Sequence, residues 1–155
     1  MLTRQGLPVL DRTEYSKVED CRRGGYIISD CNSNPDIVIY SSGSEVCLSL
    51  EVKKALKEKY NIRVVNMFCW ELFEKQSDNY KELIYDNSSA LLVSIEAGIT
   101  QGWQKFTGLN GLNIGIDTFG ESAPGKDVAS HFGLISESII DKISIKMEKM
   151  SEYSN

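Results

Sequence analysis

The sequence has little of what metal and redox chemistry needs. Its single histidine, His131, stands in Ser130-His131-Phe132-Gly133 with no cysteine or second histidine beside it, which makes it a poor metal ligand. A helix-end packing or capping role is expected for it. The four cysteines, Cys21, Cys31, Cys47 and Cys69, form no Cys-x-x-Cys pair, so a zinc knuckle or a redox dithiol is excluded and free, mostly buried thiols are expected. No apolar run approaches the ~20 residues of a bilayer span, and the start Met1-Leu2-Thr3-Arg4-Gln5-Gly6-Leu7-Pro8 lacks the apolar stretch of a secretory signal. A cytoplasmic location is expected. The 17 Lys+Arg are outnumbered by 22 Asp+Glu, giving a net charge of −5 without a basic cluster, which argues against nucleic acid or an anionic membrane as partner. Repeats and low-complexity tracts are missing too, and only the polar end Ser151-Glu152-Tyr153-Ser154-Asn155 is expected to fray.

What is present is one globular domain's worth of chain, 155 residues, 41% hydrophobic and 25% charged. Residues 1–23 carry Pro8 and scattered charges without a sustained period, as an extended segment crossing a surface does. Short apolar strands follow at Gly25-Tyr26-Ile27-Ile28 and Ile37-Val38-Ile39-Tyr40, joined by the turn Asn32-Ser33-Asn34-Pro35. So short a connection makes them run in opposite directions, side by side or not.

From Ile37 onward strand and helix alternate. A helix opens at Ser42-Gly43-Ser44-Glu45, where the spacing predicts a capping box between Ser42 and Glu45, and Leu48, Val52, Ala55 and Leu56 set its apolar stripe. Strands are predicted at Ile62–Val65, Ala90–Ile95 and Asn113–Ile116, with helices over Glu71–Ile84, near Trp103, from Pro124 and from Ser136. The last carries Ile139, Ile140, Ile143, Met147 and Met150 on one side. Nearly all-apolar strands alternating with amphipathic helices predict an α/β fold in three layers, α/β/α, with a mainly parallel sheet of about five strands.

In such a fold ligands sit beyond the carboxyl ends of the strands. The loops there are Ser41–Glu45, Asn66–Trp70, Glu96–Trp103 and Asp117–Pro124. Ser42, Gly43 and Ser44 place backbone amides at a helix start, a candidate anion or regulatory edge, although they match neither a Gly-x-Gly-x-x-Gly fingerprint nor a P-loop. Glu96, directly after a buried strand, is a candidate base, with a structural Glu holding loop amides as the alternative. No triad partner accompanies it in sequence. Trp103, Lys105 and Phe106 read as packing for a short helix or as a subunit contact.

Several stretches, in order, resemble one family. They are Leu2 to Leu10, Gly24-Gly25-Tyr26, Ser42-Gly43-Ser44-Glu45-Val46, Arg63-Val64-Val65, Glu96-Ala97-Gly98, Trp103-Gln104-Lys105-Phe106 with Gly108, and Phe119-Gly120-Glu121-Ser122-Ala123-Pro124 leading to Phe132-Gly133. Together they look like the C-terminal domain of transketolase. The resemblance implies a mixed five-stranded sheet with one antiparallel strand. It divides the chain into a lead-in from the preceding pyrimidine-binding domain at 1–23, the C-terminal domain at 24–150 and a tail at 151–155. The family's activity is transfer of a two-carbon ketol unit between sugar phosphates in the pentose phosphate pathway, by a homodimer. Its thiamine diphosphate, its Mg2+ or Ca2+ and its catalytic histidines belong to larger upstream domains. This chain is therefore expected to bind no cofactor or metal, to supply no catalytic residue and to act structurally. Arg4 falls where the family's arginine contacts the substrate phosphate, and its planar fork suits a bidentate contact. Departures are Gly6 for the usual Asn, Phe68 where a Pro is common, and Gly125-Lys126 after Ala123-Pro124. The competing expectation, drawn from the loops alone, is a free-standing small-anion-binding or regulatory module.

Overall fold

A computed structural model describes residues 6–85 and 89–152. Five strands form one sheet: β1 (Gly25–Ser29), β2 (Ile37–Ser41), β3 (Ile62–Met67), β4 (Leu91–Ile95) and β5 (Leu112–Ile114). Their spatial order is β1-β3-β2-β4-β5, and only the β1/β3 pairing is antiparallel. β1 and β2 thus do run in opposite directions, with β3 between them. All five residues of β2 are buried, the consequence of a central parallel strand covered on both faces.

Alternation along the strands splits the core in two. Ile37, Ile39, Val64 and Val93 face α1 (Glu45–Leu56) and α6 (Ser136–Glu152), which contribute Val46, Leu50, Ile139 and Ile143. Val38, Tyr40, Val65 and Met67 face the other layer, built from Phe73, Ile84, Trp103 and Phe106. That layer consists of α2 (Trp70–Phe73), α3 (Asp78–Tyr85) and α4 (Gln104–Thr107). The remaining short helix is α5 (Gly125–His131).

Two expectations are corrected. The helix expected over Glu71–Ile84 is two helices, because Phe73, fully buried, ends the first and Ser77 starts the second by accepting the Tyr80 amide at its hydroxyl, 3.4 Å. In α1 the buried face runs through Val46, Ser49, Leu50, Val52 and Leu56, whereas Ala55 is exposed. Ser49 is tolerated there because its hydroxyl donates to the Glu45 carbonyl at 2.8 Å and pairs with Ser41 Oγ at 2.9 Å.

The segment from Gly6 to Lys17 has neither helix nor strand, and a 3₁₀ helix at Val18–Arg23 follows it. Leu10 and Tyr15 pack on the first core, and Ser16 fastens the segment to the β1 edge, donating from its amide to the Ile28 carbonyl and from its hydroxyl to that of Ile27. These bonds meet β1 where its register slips between Ile27 and Ser29.

Candidate functional site

The connection leaving β2 goes to α1 on one face of the sheet, and the connection leaving the adjacent β4 goes to α4 on the other. The loops therefore diverge at the carboxyl ends of β2 and β4, the switch point where α/β sheets bind ligands. Ser42 and Glu96 are the residues that follow these two strands. Ser42 Oγ donates to Glu96 Oε2 at 2.7 Å and ties the two loops together.

The predicted capping box is absent, because Ser42 spends its hydroxyl on Glu96. Ser44 occupies the N-cap in helical conformation without a side-chain cap, and its hydroxyl donates to Glu45 Oε1 at 2.7 Å. The Glu45 amide is satisfied by the Ser42 carbonyl, 3.1 Å. Gly43 makes this tight turn at φ +54°.

Glu96 is half-buried, and desolvation pushes its carboxyl above the ordinary 4.5, opposed by the Ser42 hydrogen bond and assisted by repulsion from Glu45. The folded chain thus keeps this proton to higher pH than the unfolded chain. Stability is expected to fall as pH rises from 4.5 through the folded value and then to level off. Glu96→Gln should abolish that component. Ser42→Ala removes the bond favouring the ionised form and should move the Glu96 midpoint further up in a carboxyl-carbon NMR titration. A midpoint unmoved or lowered by Ser42→Ala would remove the hydroxyl as its partner.

The other loops are tied in by contacts between residues far apart in sequence. Asp117 accepts the Thr100 amide at 2.8 Å and its hydroxyl at 2.8 Å, joining the loop after β4 to the loop after β5. Pattern reading had no signal for this pair. Asn66, at the end of β3 beside Ser41, donates its amide to Tyr26 Oη at 3.2 Å. Glu121, in the loop after β5, flanks His131 in a shallow hollow with Ser122, Ala123 and Asp127. His131 is exposed at the carboxyl end of α5 with its ring against Phe132, a helix-end packing position. Trp103 and Phe106 are core residues, and Lys105 pairs with Glu74 at 2.9 Å. The cysteines are free but half-buried rather than mostly buried. Arg4 lies outside the described residues.

Among the described residues no group of three or more His, Cys, Asp and Glu side chains is placed to hold a metal ion, and no helix is long and apolar enough to cross a membrane.

Comparison with known proteins matches the model of the transketolase-like TK C-terminal domain to residues 24–135. Transketolase of Aquifex aeolicus is 40% identical over 144 residues, covering 92% of this chain and 21% of that protein. The chloroplastic transketolase of Solanum tuberosum is 44% identical over 142 residues, covering 90% and 19%. The structure of Pichia stipitis transketolase in complex with a sedoheptulose phosphate superposes with a TM-score of 0.85 at 27% identity, covering 96% of this chain and 21% of that one. The chain spans about a fifth of the length of the curated relatives it matches. With the family model matching a range that includes all five strands, the chain belongs to the transketolase family and corresponds to its C-terminal domain.

Proposed function

We propose that this chain serves as the C-terminal domain of a complete transketolase, a transferase that moves a two-carbon ketol unit from a ketose phosphate to an aldose phosphate. The observation that carries the reading is the coverage: similarity spans nine-tenths of this chain and about a fifth of each full-length relative. Thiamine diphosphate with a divalent metal supplies the carbanion chemistry of such an enzyme. The described residues do not fit that group, since they offer no ligand cluster for its metal and their one histidine stands exposed at a helix end. In this reading the cofactor belongs to the other domains, and the part played here is architectural.

The segment at 1–23 is proposed as the lead-in from the pyrimidine-binding domain, 24–150 as the domain proper and 151–155 as its tail. Arg4 is assigned to the sugar phosphate. Phe119 is 97% exposed and Ile99 59% exposed in the loops at the carboxyl edge, apolar surface of the kind that another domain or the second subunit of a homodimer covers. A regulatory anion at Ser42, Gly43 and Ser44 would have to approach beside Glu96 and Glu45, so the architectural reading is preferred for that edge. A cytoplasmic location accords with four free thiols.

Grafting tests this. With its own C-terminal domain replaced by this chain, the Aquifex aeolicus enzyme is expected to transfer ketol units, while the 155-residue chain alone turns over no ketose and aldose phosphate pair. A folded but inactive chimera, or turnover by the isolated chain, would reject the assignment. In the chimera, Arg4→Ala should raise KM about tenfold or more for phosphorylated acceptors, the worth of a charged hydrogen bond, and leave unphosphorylated acceptors nearly unchanged.

A further inference from the structure

A second opening in the surface lies away from the carboxyl edge. It is a groove of about 430 Å³ running along α1, walled on the other side by the segment that precedes β1. That volume falls within the range of small-molecule sites, roughly 300–1,000 Å³. Its apolar surface comes from Pro8, Leu10, Tyr15, Cys47 and Leu50, and its cations are Lys53, Lys54 and Lys57.

The lysines differ in what they can do. Lys53 Nζ is held inside, donating to Ser29 Oγ at 2.8 Å and to the Asp30 carbonyl at 2.6 Å. Lys57 pairs with Glu58 at 3.8 Å, an exposed pair of little energetic weight, and Lys54 is exposed. Lys54 on α1 and Lys57, its C-cap residue in helical conformation, are three residues apart and so project from the same side. Two carboxylates, Glu14 and Glu51, also line the groove. Among the lining residues three ammonium groups stand against two carboxylates, and Glu58 beside Lys57 tempers that excess, which suits at most a single anionic group and not a polyphosphate.

Burial has already altered the groups along the wall. It pushes the Cys47 thiol and the Tyr15 hydroxyl up and the Lys53 ammonium down. The inner wall is thus partly desolvated and suits an apolar body, while Lys54 and Lys57 stand at the exposed rim, where a charged group keeps its water.

We infer that the groove between α1 and the lead-in segment is a binding site for a small amphiphilic monoanion, its apolar body against Leu10, Tyr15 and Leu50 and its charged group at Lys54 and Lys57. The site is independent of the transketolase reading: it uses neither the carboxyl edge nor Arg4.

The test uses the whole chain and two fluorescent probes of similar body, anilinonaphthalene sulfonate, which is anionic, and phenyl-naphthylamine, which is neutral. The sulfonate is expected to bind one to one and to slow alkylation of Cys47 by N-ethylmaleimide, read by peptide mass spectrometry, while Cys69, beside α2 on the other layer, is unaffected. The double variant Lys54→Glu with Lys57→Glu should weaken the sulfonate about tenfold or more and the neutral probe less than about twofold. Lys54→Gln with Lys57→Gln, which adds no repulsion, should give an intermediate loss and decides the matter if the reversal variant misfolds. Absence of Cys47 protection, or equal effects on both probes, overturns the proposal.

Discussion

Phe106→Ala is expected to lower the stability of the chain by about 3–5 kcal/mol, the cost of emptying a large aromatic site in a packed core. The ring is 2% exposed and has five aromatic neighbours, with centroids 4.9 Å away at Trp70, 5.7 Å at Trp103, 5.8 Å at Tyr85, 6.0 Å at Tyr40 and 6.2 Å at Phe73. Those neighbours come from β2, α2, α3 and the turn before α4, so one deletion loosens the whole second layer at once. Against a typical total of about 5–15 kcal/mol the loss is a large fraction. A urea melt should show the midpoint shift, and the thermal midpoint should fall by about 10 °C. Phe119→Ala is the matched control. Its ring is 97% exposed, so its removal should change stability by less than about 0.5 kcal/mol. A loss below about 1 kcal/mol for Phe106→Ala would contradict the packing described here.

The second large effect is expected at a glycine. Gly24 lies at φ +81°, where an L-residue costs about 1–2 kcal/mol, and its carbonyl accepts the amides of both Phe68 and Cys69. A methyl group there would clash with the Cys69 carbonyl oxygen, lie 2.6 Å from the Phe73 amide nitrogen and 2.7 Å from Leu72 Cβ. None of these atoms is the flexible end of a side chain, so backbone must move. Gly24→Ala should cost about 3 kcal/mol or more, combining the dihedral penalty with the displaced loop. Gly43→Ala separates the two causes. It has the same kind of positive φ, +54°, but open space where the methyl would go. It should cost only the dihedral term, about 1–2 kcal/mol. Equal losses at the two glycines, measured by denaturant melts, would show that the close approach at Gly24 carries no weight.

Much of the fold was legible because its strands are short apolar runs bounded by turn residues. All five predicted strands exist, and their ends shift by one or two residues, as at β5, where the pairing of Val93 with Leu112 begins the strand one residue early. The helix ends from Pro124 and Ser136 were equally readable, since Pro124 and Ser136 stand at the starts of α5 and α6. The candidate site was legible only as a set of loops. Ser42 has two available roles, capping its own helix or crossing to another loop, and local spacing favours the cap. The partner that wins, Glu96, is 54 residues away, and its half-buried carboxylate binds the hydroxyl more strongly than a helix amide would. Thr100 and Asp117 were invisible as a pair for the same reason.

Sequence by itself determined the alternation of strands and helices, the opposite directions of the first two strands and, through Gly24-Gly25-Tyr26 and the run from Phe119 to Pro124, the family, whose resemblance implied the mixed sheet. These are local patterns, imposed by side-chain periodicity and by backbone conformations that few residues adopt. Tertiary structure alone decided that Ser42 meets Glu96, that Phe106 is the centre of the aromatic layer while Phe119 lies in water, and that a cationic groove opens beside α1. Each depends on which elements become neighbours, and neighbourhood across a sheet is settled by the burial of both faces together, not by any single stretch of chain.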